Sequence, residues 1–89
     1  MGQGLYIDKF SEVFSRLLSK RAISCYCISK FAGIDQAYLS RLRKGDKDHP
    51  SPEMVMRISL ALVHCSDKVS LYDIEELFNS TGRTLNINS

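Results

Sequence analysis

The sequence predicts an all-α fold, a compact bundle of about five helices, on three observations. Apolar residues recur at three- and four-residue intervals in five separate segments. Capping residues and helix-ending glycines punctuate those segments at short distances. No segment alternates with the period of two that a half-buried strand needs. At 89 residues the chain is long enough for one core and too short for two, so residues 1–89 are expected to form a single domain.

The first helix is expected from about Asp8 to Lys20. Phe10, Val13, Phe14, Leu17 and Leu18 fall on one stripe, Asp8 suits the N-cap, and Lys20 and Arg21 suit the negative end of the helix dipole. A second helix begins after Ser24 as N-cap and ends near Ala32, with Ile28, Phe31 and Ala32 facing inward and Gly33 as the left-handed stop. Asp35 is placed to cap a third helix, Gln36 to Lys44, which Gly45 ends. The fourth has Ser51 as cap, Pro52 at the first position and Glu53 in the first turn. Its stripe is Met54 or Val55, then Ile58, Ala61, Leu62 and Cys65. Ser70 with Asp73 resembles a capping box, although the usual partner is Glu or Gln. It opens a fifth helix that carries Leu71, Ile74, Leu77 and Phe78 and ends near Gly82. Residues 84–89 are expected to form an extended or flexible tail.

Several function classes fall away on composition. No apolar run approaches the roughly 18 residues of a membrane span, and Met1 to Phe10 lacks the basic-then-apolar order of a secretory signal. The expected compartment is therefore the cytoplasm. Three cysteines, Cys25, Cys27 and Cys65, make a poor disulfide framework because the number is odd and the spacing irregular. They read as free thiols used as small apolar fillers, in preference to a zinc site with His64 or a redox sensor at Cys25 and Cys27. His49 and His64 are isolated. Glu75 and Glu76 are adjacent, so they point to different helix faces and form no acid–base pair. With no glycine-rich phosphate loop either, the chain is not expected to be an enzyme, and no cofactor or metal is expected.

The net charge of +2 conceals a segregation. Residues 16–47 carry eight basic side chains against two acidic ones, a balance of +6, whereas residues 1–15 carry −1 and residues 48–89 carry −3. One basic face suited to a polyanion follows from such an arrangement.

That basic segment contains a short helix, a turn with a glycine and a second helix over about Ser24–Gly45, the order of a helix-turn-helix. At about 100° per residue from Gln36, Ser40, Lys44, Ala37 and Arg41 span one arc of roughly 140°, while Tyr38, Leu42 and Leu39 occupy the opposite side. One side packs, with Tyr38 as a core-edge aromatic. The other offers hydrogen bonds, and Ala37 keeps it narrow enough for a groove.

The stretch resembles the helix-turn-helix of the lambda-repressor-like family, the XRE or Cro-type regulators. The likeness continues through Arg41-Leu42-Arg43-Lys44-Gly45, a polar loop and Ser51-Pro52-Glu53-Met54-Val55, and covers roughly residues 8–80. It departs where Ser29 replaces the family's usual alanine, where Cys25 and Tyr26 open the first motif helix, and in a longer connection from His64 to Val69. The resemblance implies a sequence-specific regulator of transcription, a repressor of prokaryotic or phage context, that reads the major groove of double-stranded DNA with residues 36–44. Gln36, Ala37 and Arg41 are the implied base readers. For Gln36 the other reading is a solvated first-turn residue, and for Arg41 a phosphate clamp. Ser40, Arg43, Lys44 and Lys47 are implied phosphate contacts, with Tyr26, Arg21 and Lys30 as further ones. A homodimer is expected, with Leu71, Phe78, Leu85 and Ile87 as its suggested surface. Two rival readings use the same fold: an antitoxin or adaptor that holds a protein partner, and a non-specific nucleic-acid binder.

Overall fold

Five α-helices make up the regular structure of the computed structural model, which describes residues 9–47 and 49–81: α1 (Phe10–Arg21), α2 (Cys25–Ala32), α3 (Gln36–Lys44), α4 (Pro52–Cys65) and α5 (Leu71–Ser80). No strand occurs among the described residues. None of the helices is long and apolar enough to cross a membrane.

Most helix ends follow from local chemistry. The Ser24 and Ser51 hydroxyls accept from the backbone N–H groups of Cys27 (3.2 Å) and Met54 (3.1 Å), each satisfying a donor that the first turn leaves orphaned. At α5 the box is reciprocal: the Asp73 N–H donates to the Ser70 hydroxyl at 3.2 Å and the Ser70 N–H to the Asp73 carboxylate at 3.0 Å. Aspartate thus completes the box where glutamate is usual. Two expectations change. Lys9, not Asp8, is the N-cap of α1, and it makes no side-chain cap bond; Asp8 lies outside the described residues. Asp35 occupies the N-cap of α3, yet its carboxylate makes no capping bond either. At the other end of α1, Ala22 takes a left-handed conformation (φ 56°), while the Ile23 N–H donates to the Leu18 carbonyl at 2.9 Å and the Ala22 N–H to that of Ser19 at 3.3 Å. This is a Schellman closure without glycine.

The core is one cluster. Phe14, Leu18, Ile28, Leu39, Leu42, Val55, Ile58, Leu62 and Leu77 are its largest fully buried side chains. α2 packs against α4 and α3, and α1 lies against both α3 and α5. Val55 takes the inward position at the start of α4, with Met54 half-buried beside it.

Two apolar residues leave the stripes expected for them. Phe31 is 49% exposed and stacks on the His64 ring of α4 at a centroid distance of 4.2 Å. Ile28 and Ala32 set the inward direction of α2, and Phe31 falls to the side that meets the end of α4. Leu71 is 71% exposed because it opens α5 one turn before the helix reaches the core at Ile74. Phe78, in contrast, is buried in the monomer, so the suggested dimer surface loses it; Leu85, Ile87 and the expected tail at 84–89 lie outside the described residues.

The cysteine reading is corrected outright. Cys27 and Cys65 form a disulfide between α2 and the last residue of α4, with Cα atoms 6.3 Å apart at a sequence separation of 38. That separation lies within the usual span of the bond. Only Cys25 remains a free thiol, half-buried against the core.

Ion pairs join the first and last helices. The Arg21 guanidinium lies 3.1 Å from the Asp73 carboxylate, which is 3% exposed, and Arg16 reaches Glu76 at 3.4 Å on the surface. No buried side-chain nitrogen or oxygen among the described residues lacks a hydrogen-bond partner.

Candidate nucleic-acid interface

α3 has two sides, and burial defines them. Leu39 and Leu42 are fully buried and set the inward direction. At about 100° per residue the opposite direction falls on Ala37 and Lys44, flanked by Ser40, Arg41 and Gln36. Gln36, Ala37, Arg41 and Lys44 are exposed and Ser40 is half-buried. The three base-reading candidates therefore share a face with two phosphate candidates. Tyr38 is half-buried against the core, as its core-edge reading expected.

The turn that aims this helix is held at several points. Gly33 adopts φ 68° and donates to the Ser29 carbonyl at 2.9 Å, and Ile34 is buried at 5% exposure. Arg57 of α4 donates from Nη2 to the Ala32 carbonyl at 2.7 Å, clasping an acceptor that α2 leaves open at its C-terminus. Sequence patterning gives no signal for this contact, since an arginine on the polar side of a helix looks like any solvated base. Arg57→Ala is expected to cost about 1.5–3 kcal/mol, the range for a hydrogen bond to a charged group. Urea unfolding checks this; an unchanged midpoint would show that the clasp contributes nothing.

At its far end α3 closes on Gly45 (φ 92°), where an added Cβ would stand 3.3 Å from the Ser11 hydroxyl of α1. The Arg41 carbonyl accepts from the N–H groups of Gly45, Asp46 and Lys47 at 3.0, 2.9 and 3.3 Å, and this wraps the following loop beneath the helix end. Lys47 is exposed in that loop. Arg41, Arg43 and Lys44 all sit in the last turn of α3, so the negative dipole end carries three positive charges.

The remaining candidates divide. Tyr26 and Lys30 lie one turn apart on the outer side of α2, with the Lys30 ammonium 5.8 Å from the Tyr26 ring centroid. Arg43 turns toward α1 and donates to the Ser19 hydroxyl at 3.3 Å. Arg21 is drawn away, its side chain 22% exposed and its guanidinium committed to Asp73 of α5. Its side chain is spent on holding the bundle together and does not join the α3 face. Among the described residues no group of three or more His, Cys, Asp or Glu side chains is arranged to hold a metal ion.

Comparison with protein-family models, with curated proteins and with solved structures found no match for this chain.

Proposed function

We propose that the protein is a sequence-specific double-stranded DNA-binding regulator of the lambda-repressor-like type, reading the major groove with α3. The observation that carries this reading is the arc of exposed Gln36, Ala37, Arg41 and Lys44 with half-buried Ser40 among them, set opposite the fully buried Leu39 and Leu42. A helix so mounted, with its backbone accessible at Ala37, suits close approach to base edges. Gln36 is suited to pair bidentately with adenine and Arg41 with guanine. Lys44, Lys47, Arg43 and the Tyr26–Lys30 pair then serve phosphates. The regulator, a repressor in this reading, acts in the cytoplasm as a dimer that sets two α3 helices about 34 Å apart, one DNA turn.

Selection of bound duplexes from a random pool tests the reading directly. An enriched motif is expected, and Arg41→Ala should then cost about 1–3 kcal/mol in affinity and relax preference at one base position. A pool that shows no enrichment at moderate salt would leave the sequence-specific reading without support.

One observation favours the protein-partner alternative. Met56, Leu60 and Val63 form an exposed apolar stripe along α4, with the half-exposed Phe31 ring on the adjoining helix. Such a stripe suits a protein surface better than a phosphate backbone. Tight binding of a co-encoded protein, combined with weak and salt-insensitive DNA binding, would transfer the assignment to an antitoxin or adaptor.

A further inference from the structure

A polar groove of about 600 Å³ runs between α1 and the C-terminal end of α3. We infer that this groove is a phosphate-binding site. Lys9, Ser15, Arg16 and Ser19 line it on the α1 side, and Arg43 and Lys44 face them from α3. Four of these six side chains are cationic, and Glu12 is the one carboxylate in the lining. The wall contains no aromatic or aliphatic side chain, so the groove offers nothing for a base to stack on and nothing for an apolar ligand to dehydrate.

The donors are arranged across the groove rather than along one edge. Arg43 is anchored by its bond to the Ser19 hydroxyl at 3.3 Å, which uses one of its five N–H groups and leaves the rest of the fork for a ligand. Its charge is thereby held at the α1–α3 junction. Arg16 lines the groove from α1 and also forms a 3.4 Å surface pair with Glu76, the two side chains being 52% and 39% exposed. Lys9 makes no side-chain cap bond at the start of α1. A phosphate placed here meets cations from both helices together with the Ser15 and Ser19 hydroxyls, the charge-assisted donor set that tetrahedral oxyanions favour.

Lys44 belongs both to the groove and to the exposed face of α3, so the two surfaces are continuous. That continuity makes a backbone phosphate of bound DNA one source of the ligand and a free phosphorylated molecule the other. The DNA source rests on the function proposed above; the phosphate site itself does not.

The test uses the full chain and two probes. Sodium pyrophosphate, titrated at constant ionic strength against chloride, should shift the backbone amide resonances of Ser15, Ser19 and Gly45 saturably. Ser15→Asp, which sets a carboxylate in the groove, should weaken this binding roughly fivefold or more. Lys9→Gln is the second variant and disturbs no capping bond; it should weaken binding in the same direction with the fold unchanged by circular dichroism. Shifts spread evenly over Lys30, Lys47 and the other exposed bases, or insensitive to both variants, would overturn the site. With a selected duplex as the second probe, loss of about one unit from the slope of log affinity against log salt in Lys9→Gln assigns the occupant to the DNA backbone. An unchanged slope with pyrophosphate binding intact assigns it to a free phosphorylated ligand. Pyrophosphate binding without any DNA binding retains the groove and removes the regulator reading. DNA binding without groove shifts does the reverse.

Discussion

Reducing the bond between Cys27 and Cys65 is expected to lower the stability of the protein by up to about 4 kcal/mol, the loop-closure entropy for the 38-residue separation at 25 °C. The physical cause lies in the unfolded chain, which gains conformations once the ring opens. For a domain of this size the full 4 kcal/mol corresponds to a fall in melting temperature of roughly 16–32 °C, given about 4–8 °C per kcal/mol. Cys27→Ser and Cys65→Ser should reproduce the effect of a reductant and should not add to it. Cys25→Ser is the control, because its thiol lies outside the bond and wild-type sensitivity to reductant should persist. Equal melting temperatures with and without reductant would remove the disulfide from the list of stabilising features. The proposed setting sharpens the matter, since the cytoplasm keeps most thiols reduced.

The second large effect centres on Asp73. Its carboxylate accepts from the Ser70 N–H, pairs with Arg21 and is almost fully buried. Asp73→Ala removes both the capping box and a charge-assisted bond, and is expected to cost roughly 2–4 kcal/mol. Burial alone would raise the pKa of this group. The Ser70 N–H, the Arg21 guanidinium and the more distant Lys20 charge outweigh burial and hold it below the ordinary value of 3.8. The contribution is therefore fully present above the unfolded-state value and is lost as pH falls through the lower folded-state value. Denaturant titrations between pH 2 and 6 should show wild-type stability declining at the acid end, with a shallower decline in Asp73→Asn. Parallel acid limbs for the two proteins would assign the pH dependence to other carboxylates.

Much of the fold was legible in the sequence because its punctuation is local. Ser24, Gly33, Gly45, Ser51 and Pro52 act within a turn of themselves, so α2, α3 and the start of α4 could be placed from spacing alone. The exposed arc of α3 was legible for the same reason, since Leu39 and Leu42 point inward wherever the helix packs. What escaped depends on which helices meet. Cys27 and Cys65 become neighbours only because α2 packs along α4, and irregular spacing in the chain carries no trace of that. Arg57 reaches the Ala32 carbonyl through the same packing. Arg21 reads from sequence as a phosphate contact at the end of the first helix, whereas the return of α5 over α1 supplies it with Asp73. Phe31 illustrates the converse: a large apolar residue at a plausible helical position met the edge of α4 and stacked on His64 instead of entering the core.

The Cys27–Cys65 bond closes a covalent ring that contains most of α2 and all of α3 and α4, and thus the whole helix proposed to read DNA; α1 and α5 stand outside it. Those two outer helices are latched to each other by charge, through Arg21–Asp73 and Arg16–Glu76. The molecule therefore has two fasteners that answer to different conditions. Acid releases the outer latch while the ring stays shut, and reductant opens the ring while the latch holds. Local opening in this bundle should accordingly divide into two cooperative units, an inner one that carries the exposed face of α3 and an outer one made from α1 and α5.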